Sequence, residues 1–314
     1  LIESYRSSVN RWECDENDHL NVRFYVDKHM QTIIAGLANA GFASSSSDTE
    51  GAVPGAFAQL VNASVRSQHL RFVRESRLSA PITGSLALVA GASVDTPDSA
   101  APHKLNVLSE LRHSSSGELL CSCITSIDAL SWNLGALPKV DVPEDAGSRG
   151  VPDSDIPFAS LSAIERAQSG FKNIGMGVVQ AAECGSDGHL LIPAVMGRIS
   201  DSMPHLWGLL RGSPSADKGS ADEGDAEEGG AVLEYRLRYH RSLRQGEVFR
   251  VESGLMAVGT KLQRFAHLVL GAQDNAIVAS AEAVGVRMDL RTRRAKVIAE
   301  EDREAMRVHL LRQE

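Results

Sequence analysis

Trp12-Glu13-Cys14-Asp15-Glu16-Asn17-Asp18-His19-Leu20-Asn21, near the start of the chain, returns as Ala182-Glu183-Cys184-Gly185-Ser186-Asp187-Gly188-His189-Leu190-Leu191. Glu, Cys, His and Leu match without a gap at an offset of 170. Downstream, Leu70-Arg71-Phe72-Val73-Arg74 returns as Leu237-Arg238-Tyr239-His240-Arg241, in the same order, at an offset of 167. Two ordered matches at nearly one offset mark a duplicated domain. The length of 314 residues fits two copies, since a domain usually takes about 100–200 residues.

Working outward, each copy has the same layout. In the first, a short strand near Ser8–Cys14 leads through a polar loop into a helix over Val22–Ala40. Val22, Val26, Met30, Ile33, Ile34 and Leu37 recur there at helical spacing and make one apolar stripe. After a Ser/Gly/Pro loop, period-two stretches predict strands near Ala58–Phe72, Gly84–Val94, Leu105–His113 and Leu119–Ser131. The second copy repeats this with a strand near Gly177–Glu183 and a helix over Pro193–Leu210, which Pro204 should kink or end early. Its strands fall near Val232–His240, Val248–Met256, Leu262–Leu270 and Ile277–Met288. One strand, one helix and four antiparallel strands form an α+β unit, a helix wrapped by a curved sheet. The units are residues 1–144 and 171–314, joined by a linker over 145–170 with a short helix at 159–167; Glu300–Arg312 reads as a terminal surface helix.

Composition narrows the function classes. A chain that is 43% hydrophobic and 23% charged, with 4 cysteines, reads as a globular protein of the reducing cytoplasm without a disulfide scaffold. No apolar run reaches the ~20 residues of a membrane helix. Of the net charge of −8, −5 lies between Ser213 and Gly230, which reads as a disordered acidic insertion. Without a basic stripe, nucleic acid is a poor partner. There is no C-x-x-C pair, P-loop or G-x-S-x-G elbow, and Gly175-x-Gly177 lacks the third Gly of a dinucleotide site. Neither a metal nor a cofactor is expected. Cys14, Cys184, Cys121 and Cys123 read as packing residues.

Chemistry concentrates in the loop Glu13–Asn21, which holds Glu13, Asp15, Glu16, Asp18, His19, Asn17 and Asn21 directly before the striped helix. Unpaired backbone N–H groups at a helix start can hold a developing oxyanion. A carboxylate beside them could attack a carbonyl or activate water. The bland reading is that Asp18 or Asn21 caps the helix and the other residues are solvated.

Asp15-Glu16-Asn17-Asp18-His19-Leu20-Asn21-Val22-Arg23-Phe24-Tyr25 resembles the Asp-x-x-Gly-His-x-Asn-x-x-x-Tyr signature of hotdog-fold thioesterases, the hydroxybenzoyl-CoA and acyl-ACP branch. Asp15, His19, Asn21 and Tyr25 match; Asp18 stands where the family usually has Gly. The resemblance implies two tandem hotdog modules forming an intrachain pseudo-dimer, and hydrolysis of an acyl-CoA or acyl-ACP thioester. Asp15 would be nucleophile or general base, with His19 and Asn21 orienting the loop. Val22 would supply the oxyanion N–H and, with Tyr25 and Glu13, border the substrate. Glu13 either raises the Asp15 pKa by like charge or is a simply exposed acid. Asp18 must supply a backbone freedom that glycine has by default.

The second copy keeps Gly188 and His189 but has Gly185 for the acid and Leu191 for the Asn, which implies one working site per chain. CoA or ACP would enter only as part of the substrate. The pseudo-dimer could associate further into a homo-oligomer. Arg71, Arg74, Arg238 and Arg241 are candidates for CoA phosphates. Two other readings stand beside hydrolysis: a hotdog acyl-CoA dehydratase, and a non-catalytic acyl-CoA-binding or assembly module.

Overall fold

The striped helix forms as α1 (Val22–Asn39) and buries Val26, Met30, Ile33 and Leu37. The computed structural model describes residues 1–15, 17–41, 55–90, 103–129, 137–151, 158–211 and 228–312. In the first module α1 is wrapped by β1 (Ile2–Ser8), β2 (Val65–Phe72), β3 (Pro81–Val89), β4 (His103–His113) and β5 (Leu119–Ala129), with a helix α2 (Ala56–Ser64) and a short β6 (Lys139–Val140). α1 lies close on β3 because two side chains are missing there. A Cβ on Gly36 would stand 2.0 Å from a Leu86 methyl, and one on Gly84 2.1 Å from the Thr32 hydroxyl.

After α3 (Ala163–Ser169) the second module repeats the plan with β7 (Lys172–Val178), α4 (Ile192–Arg211), β8 (Glu228–Tyr239), β9 (Val248–Val258), β10 (Leu262–Gly271) and β11 (Ile277–Asp289). It ends in β12 (Arg294–Ala295) and α5 (Glu300–Arg307). The strands form one sheet in the order β1-β3-β4-β5-β2-β8-β11-β10-β9-β7, with β6 and β12 as short additions on β3 and β11. Each module thus has the same internal order.

The modules join where β2 pairs antiparallel with β8, from Ser67↔Arg238 to Arg71↔Glu234. His69 and Arg236 are equivalent at the repeat offset of 167 and face each other in this register. A pseudo-twofold axis therefore runs through that pair. Pairing here also removes two sheet edges that would otherwise invite association. Residues 144–150 strap the seam. Arg71 donates to the carbonyls of Glu144 (3.1 Å) and Gly147 (2.9 Å), while Glu234 Oε1 lies 2.7 Å from His69 Nε2. The Arg149 and Gly150 N–H groups also donate to Glu234, at 3.1 and 2.6 Å. Burial pushes the Glu234 carboxyl up, but the bonds from His69 and the two N–H groups outweigh it and hold it down to about 2.

Several sequence expectations need correction. The first strand of each module ends at the start of its expected span, at Ser8 and Val178, and the chain then turns through a 3-10 segment at Arg11–Glu13 and Ala181–Glu183. In both, the glutamate reaches back to the N–H three residues earlier, Glu13 to Asn10 (2.8 Å) and Glu183 to Gln180 (2.9 Å). That bond competes with strand pairing. The expected strand from Ala58 begins as α2, since Phe57, Leu60 and Val61 recur at i, i+3 and i+4, the spacing of a helix face. Pro204 sits inside α4 without ending it; it has no N–H to offer the Ser200 carbonyl. The acidic stretch 213–230 lies outside the described residues except for Glu228–Gly230, which open β8. No helix among the described residues is long and apolar enough to cross a membrane.

Candidate active site

The loop after β1 is built from Glu13 outward. Its Oε2 accepts the Asn10 N–H and its Oε1 accepts Lys28 Nζ at 2.8 Å. Both side chains are buried, 8% exposed for Glu13 and 1% for Lys28. Glu13 is thus not a solvated acid, contrary to the bland expectation, because α1 brings an ammonium to it. Its charge is neutralised by that ion pair.

Past Cys14 the chain folds back on itself. Asp15 N–H donates to the His19 carbonyl (2.7 Å), and Asp15 Oδ1 accepts the N–H groups of Asn17 (2.8 Å) and His19 (3.0 Å). This turn needs a left-handed residue. Asp18 has φ 58, as Gly188 has φ 76 at the same place in the second module. Asp18 therefore keeps the glycine geometry at some cost in backbone strain. Asp15 is half-buried with Oδ1 fixed, and Oδ2 accepts no hydrogen bond among the described residues.

The β2–β3 connection closes over this loop. Leu20 N–H donates to the Ser76 carbonyl (2.8 Å), and His19 bridges to Arg77. Tyr25, buried, accepts the Ser76 N–H at 3.0 Å and donates to the Arg74 carbonyl at 3.4 Å. It packs edge-on against Phe72, with ring centroids 5.2 Å apart. Burial raises its phenol, so it stays protonated. Tyr25 thereby fixes the segment that carries Glu75, whose Oε2 lies 3.3 Å from His19 Nε2.

At the start of α1, Asn21 Oδ1 accepts the Arg23 N–H (2.9 Å) and Asn21 Nδ2 donates to Ser200 Oγ on α4 (3.3 Å). The Phe24 and Tyr25 N–H groups go to the Asn21 carbonyl, and the Val22 N–H has no acceptor among the described residues. Arg293, on the β11–β12 turn, reaches across from the second module to within 2.5 Å of His19 Nε2 and 3.6 Å of Glu75. His19 is buried and its pKa lies below the ordinary imidazole value. Burial is the main cause, and the Arg293 and Arg77 charges add to it against Glu75 and Asp15.

The structure thus brings Asp15, His19, Asn21 and Val22 onto one turn, with Tyr25 and Glu13 as struts behind it. Sequence reasoning missed Glu75, Ser200 and Arg293. Glu75 directly follows the second repeat match and aligns with Ser242 at its offset, so the broken match was a usable signal. Nothing local marked Arg293.

In the second module the frame persists. Glu183 pairs with Arg198, at the offset of Lys28, and His189 bridges to Arg244 as His19 does to Arg77. There the Ile192 N–H, equivalent to that of Val22, donates to Asn62 Oδ1 from α2 at 2.9 Å. A groove of about 420 Å³ lined by Met176, Arg198, His205 and Phe249 lies elsewhere on this module, beside Gly175, whose repeat partner is Tyr5. The arginines considered for phosphate are engaged, among them Arg71 in the seam, Arg74 with Glu118 (3.3 Å) and Arg241 with Asp274 (3.0 Å). Cys121 and Cys123 are buried, and Cys14 and Cys184 each donate to a nearby carbonyl.

No family model matches the chain, and no curated protein matches it. Solved structures do. A Lactobacillus plantarum protein assigned as an oleoyl thioesterase superposes with a TM-score of 0.62 at 10% identity, over 91% of this chain and 96% of that one. An acyl-ACP thioesterase from Bacteroides thetaiotaomicron gives 0.57 at 7%, over 90% and 96%. The 12:0-ACP thioesterase of Umbellularia californica gives 0.55 at 13%, over 90% and 96%. With the strand order and the β2–β8 seam, these superpositions establish the fold: the chain is a tandem double hotdog, two helix-wrapped modules in one continuous sheet.

Proposed function

We propose that the chain hydrolyses an acyl thioester, carried on CoA or an acyl carrier protein, at the Asp15 loop of the first module. The observation that carries this reading is a carboxylate with one oxygen fixed and one open, on the turn that leads into a helix start with an uncommitted N–H. Three fold neighbours named as thioesterases support it. In this mechanism the Val22 N–H stabilises the negative charge that develops on the carbonyl oxygen. Asp15 Oδ2 either attacks the carbonyl carbon, giving a mixed anhydride that water cleaves, or takes a proton from a water that attacks directly. In both routes the C–S bond breaks, the thiol leaves with a proton, and the acid is released. His19 and Glu75 border the reacting atoms, while Glu13, Lys28 and Tyr25 hold the loop.

The test is thiol release from a panel of acyl-CoA and acyl-ACP thioesters by wild type and Asp15→Asn. Turnover should fall by about 10²–10⁴-fold in the variant, the usual worth of a positioned acid–base group. Undiminished turnover would remove Asp15 from the chemistry. A folded wild type inert on every member would favour a non-catalytic acyl-binding role.

A further inference from the structure

The first-module site contains a charged group that its own module does not supply. Arg293 belongs to the turn between β11 and β12, and that turn is built with some care. Asp289 Oδ1 accepts the Arg291 N–H (2.9 Å) and the Thr292 N–H (2.7 Å), and the Arg293 N–H returns to the Asp289 carbonyl at 2.8 Å. Arg293 itself sits at φ 57, a left-handed conformation unfavourable for a long side chain. The result is a guanidinium carried across the module boundary to His19.

The contact has a chemical consequence. Arginine has donors only, so a guanidinium nitrogen 2.5 Å from His19 Nε2 requires a lone pair on that nitrogen. Glu75 would ask the reverse, an Nε2–H donating to its carboxylate, but it stands farther off at 3.3 Å. We propose that Arg293 is a positioning residue, supplied by the module that lacks the acid, which occupies His19 Nε2 and holds the imidazole as the neutral Nδ1–H tautomer. The proposal rests on the reading of the Asp15 loop as the thioester site. It gives the second module a task in the reaction beyond completing the sheet. Among the described residues, the other charged groups acting most strongly on His19 are Glu75, Asp15 and Arg77; removing Arg293 leaves the two acids opposed by Arg77.

The test uses full-length wild type, Arg293→Met and Arg293→Lys, each confirmed folded by thermal unfolding. The His19 ring is followed by imidazole NMR, its resonances assigned with His19→Gln. In Arg293→Met, Nε2 should turn to Glu75, the ring should titrate at higher pH and the Nδ1–H tautomer should lose population. The acid limb of kcat/KM against pH should move the same way, with about tenfold loss near neutrality, below the roughly 10²–10⁴-fold worth of a group that itself transfers the proton. Arg293→Lys, which keeps the charge and one donor direction, should fall between. An unchanged His19 tautomer and titration in Arg293→Met would overturn the proposal even if activity fell. The NMR readout needs no turnover. If Asp15→Asn proved as active as wild type, the assignment of the thioester site to the Asp15 loop would fail while the positioning of His19 stood or fell separately.

Discussion

The two modules share one loop frame and differ in what the frame presents. Both turn the chain with a glutamate bonded back three residues, both bury that glutamate against a cation from the following helix, and both carry a histidine on the turn. Only the first has Asp15, Asn21 and Glu75; the second has Gly185, Leu191 and Ser242. The helix starts differ in the same sense. The Val22 N–H is left without an acceptor among the described residues, whereas the Ile192 N–H is capped by Asn62 of the other module. What recurs is what the fold needs to stand up, and what differs is what a reaction would need. Even the buried imidazole of each core obeys this logic. It comes from α1 as His29 bonded to Ser109 in one module and from β10 as His267 bonded to Ser253 in the other, each at 2.8 Å.

The sharpest way to break this contrast is to substitute equivalent positions. Glu75→Gln should lower thioester turnover by about two orders of magnitude, while Ser242→Ala should leave it unchanged; steady-state kinetics on the best panel substrate decides. Lys28→Met strands a buried carboxylate at Glu13 and should cost about 3–5 kcal/mol in urea unfolding. Arg198→Met should cost less, because that guanidinium is partly exposed at 26% and water can take over for it.

The two core histidines predict a pH dependence. Burial holds His29 and His267 down to about 3 from 6.5. Between those limits the unfolded chain binds a proton at each ring and the folded chain does not. Stability therefore falls as pH drops from 6.5 toward 3, by about 1.4 kcal/mol per pH unit for each ring. His29→Gln and His267→Gln should each remove one share of that slope in unfolding curves taken at pH 6.5, 5.5 and 4.5. Smaller effects belong to the turn and the cap. Gly188→Ala should destabilise by about 1–2 kcal/mol, whereas Asp18→Gly should be close to neutral, since it relieves the strain at φ 58 and loses more chain entropy on folding. Asn62→Ala should cost about 1 kcal/mol as a lost cap and should create no new turnover, because no carboxylate waits at Gly185.

Much of this contrast was legible in the sequence. The repeat offset gave the modules, and the apolar stripe from Val22 gave α1 nearly to the residue, because a buried helix face leaves a period that no other element imitates. The missing acid at Gly185 was equally plain. The strand ends were not, since Glu13 and Glu183 fix the chain by side-chain to backbone bonds that carry no periodic signal. Neither were the partners that arrive through the fold. Asn62 capping α4, Ser200 meeting Asn21 and Arg293 reaching His19 are separated in sequence by more than a hundred residues. They become neighbours only because β2 pairs with β8, and that seam is a property of the folded sheet.

A fold written twice carries one site, and ligand stoichiometry tests this most directly. Isothermal titration with a non-hydrolysable thioether analogue of the best substrate should give one equivalent bound per chain, with binding weakened by Asn21→Leu, the residue the second module carries there, and unaffected by Ser242→Ala. Two equivalents per chain, or one that survives changes in the first module and is lost on changes in the second, would contradict it.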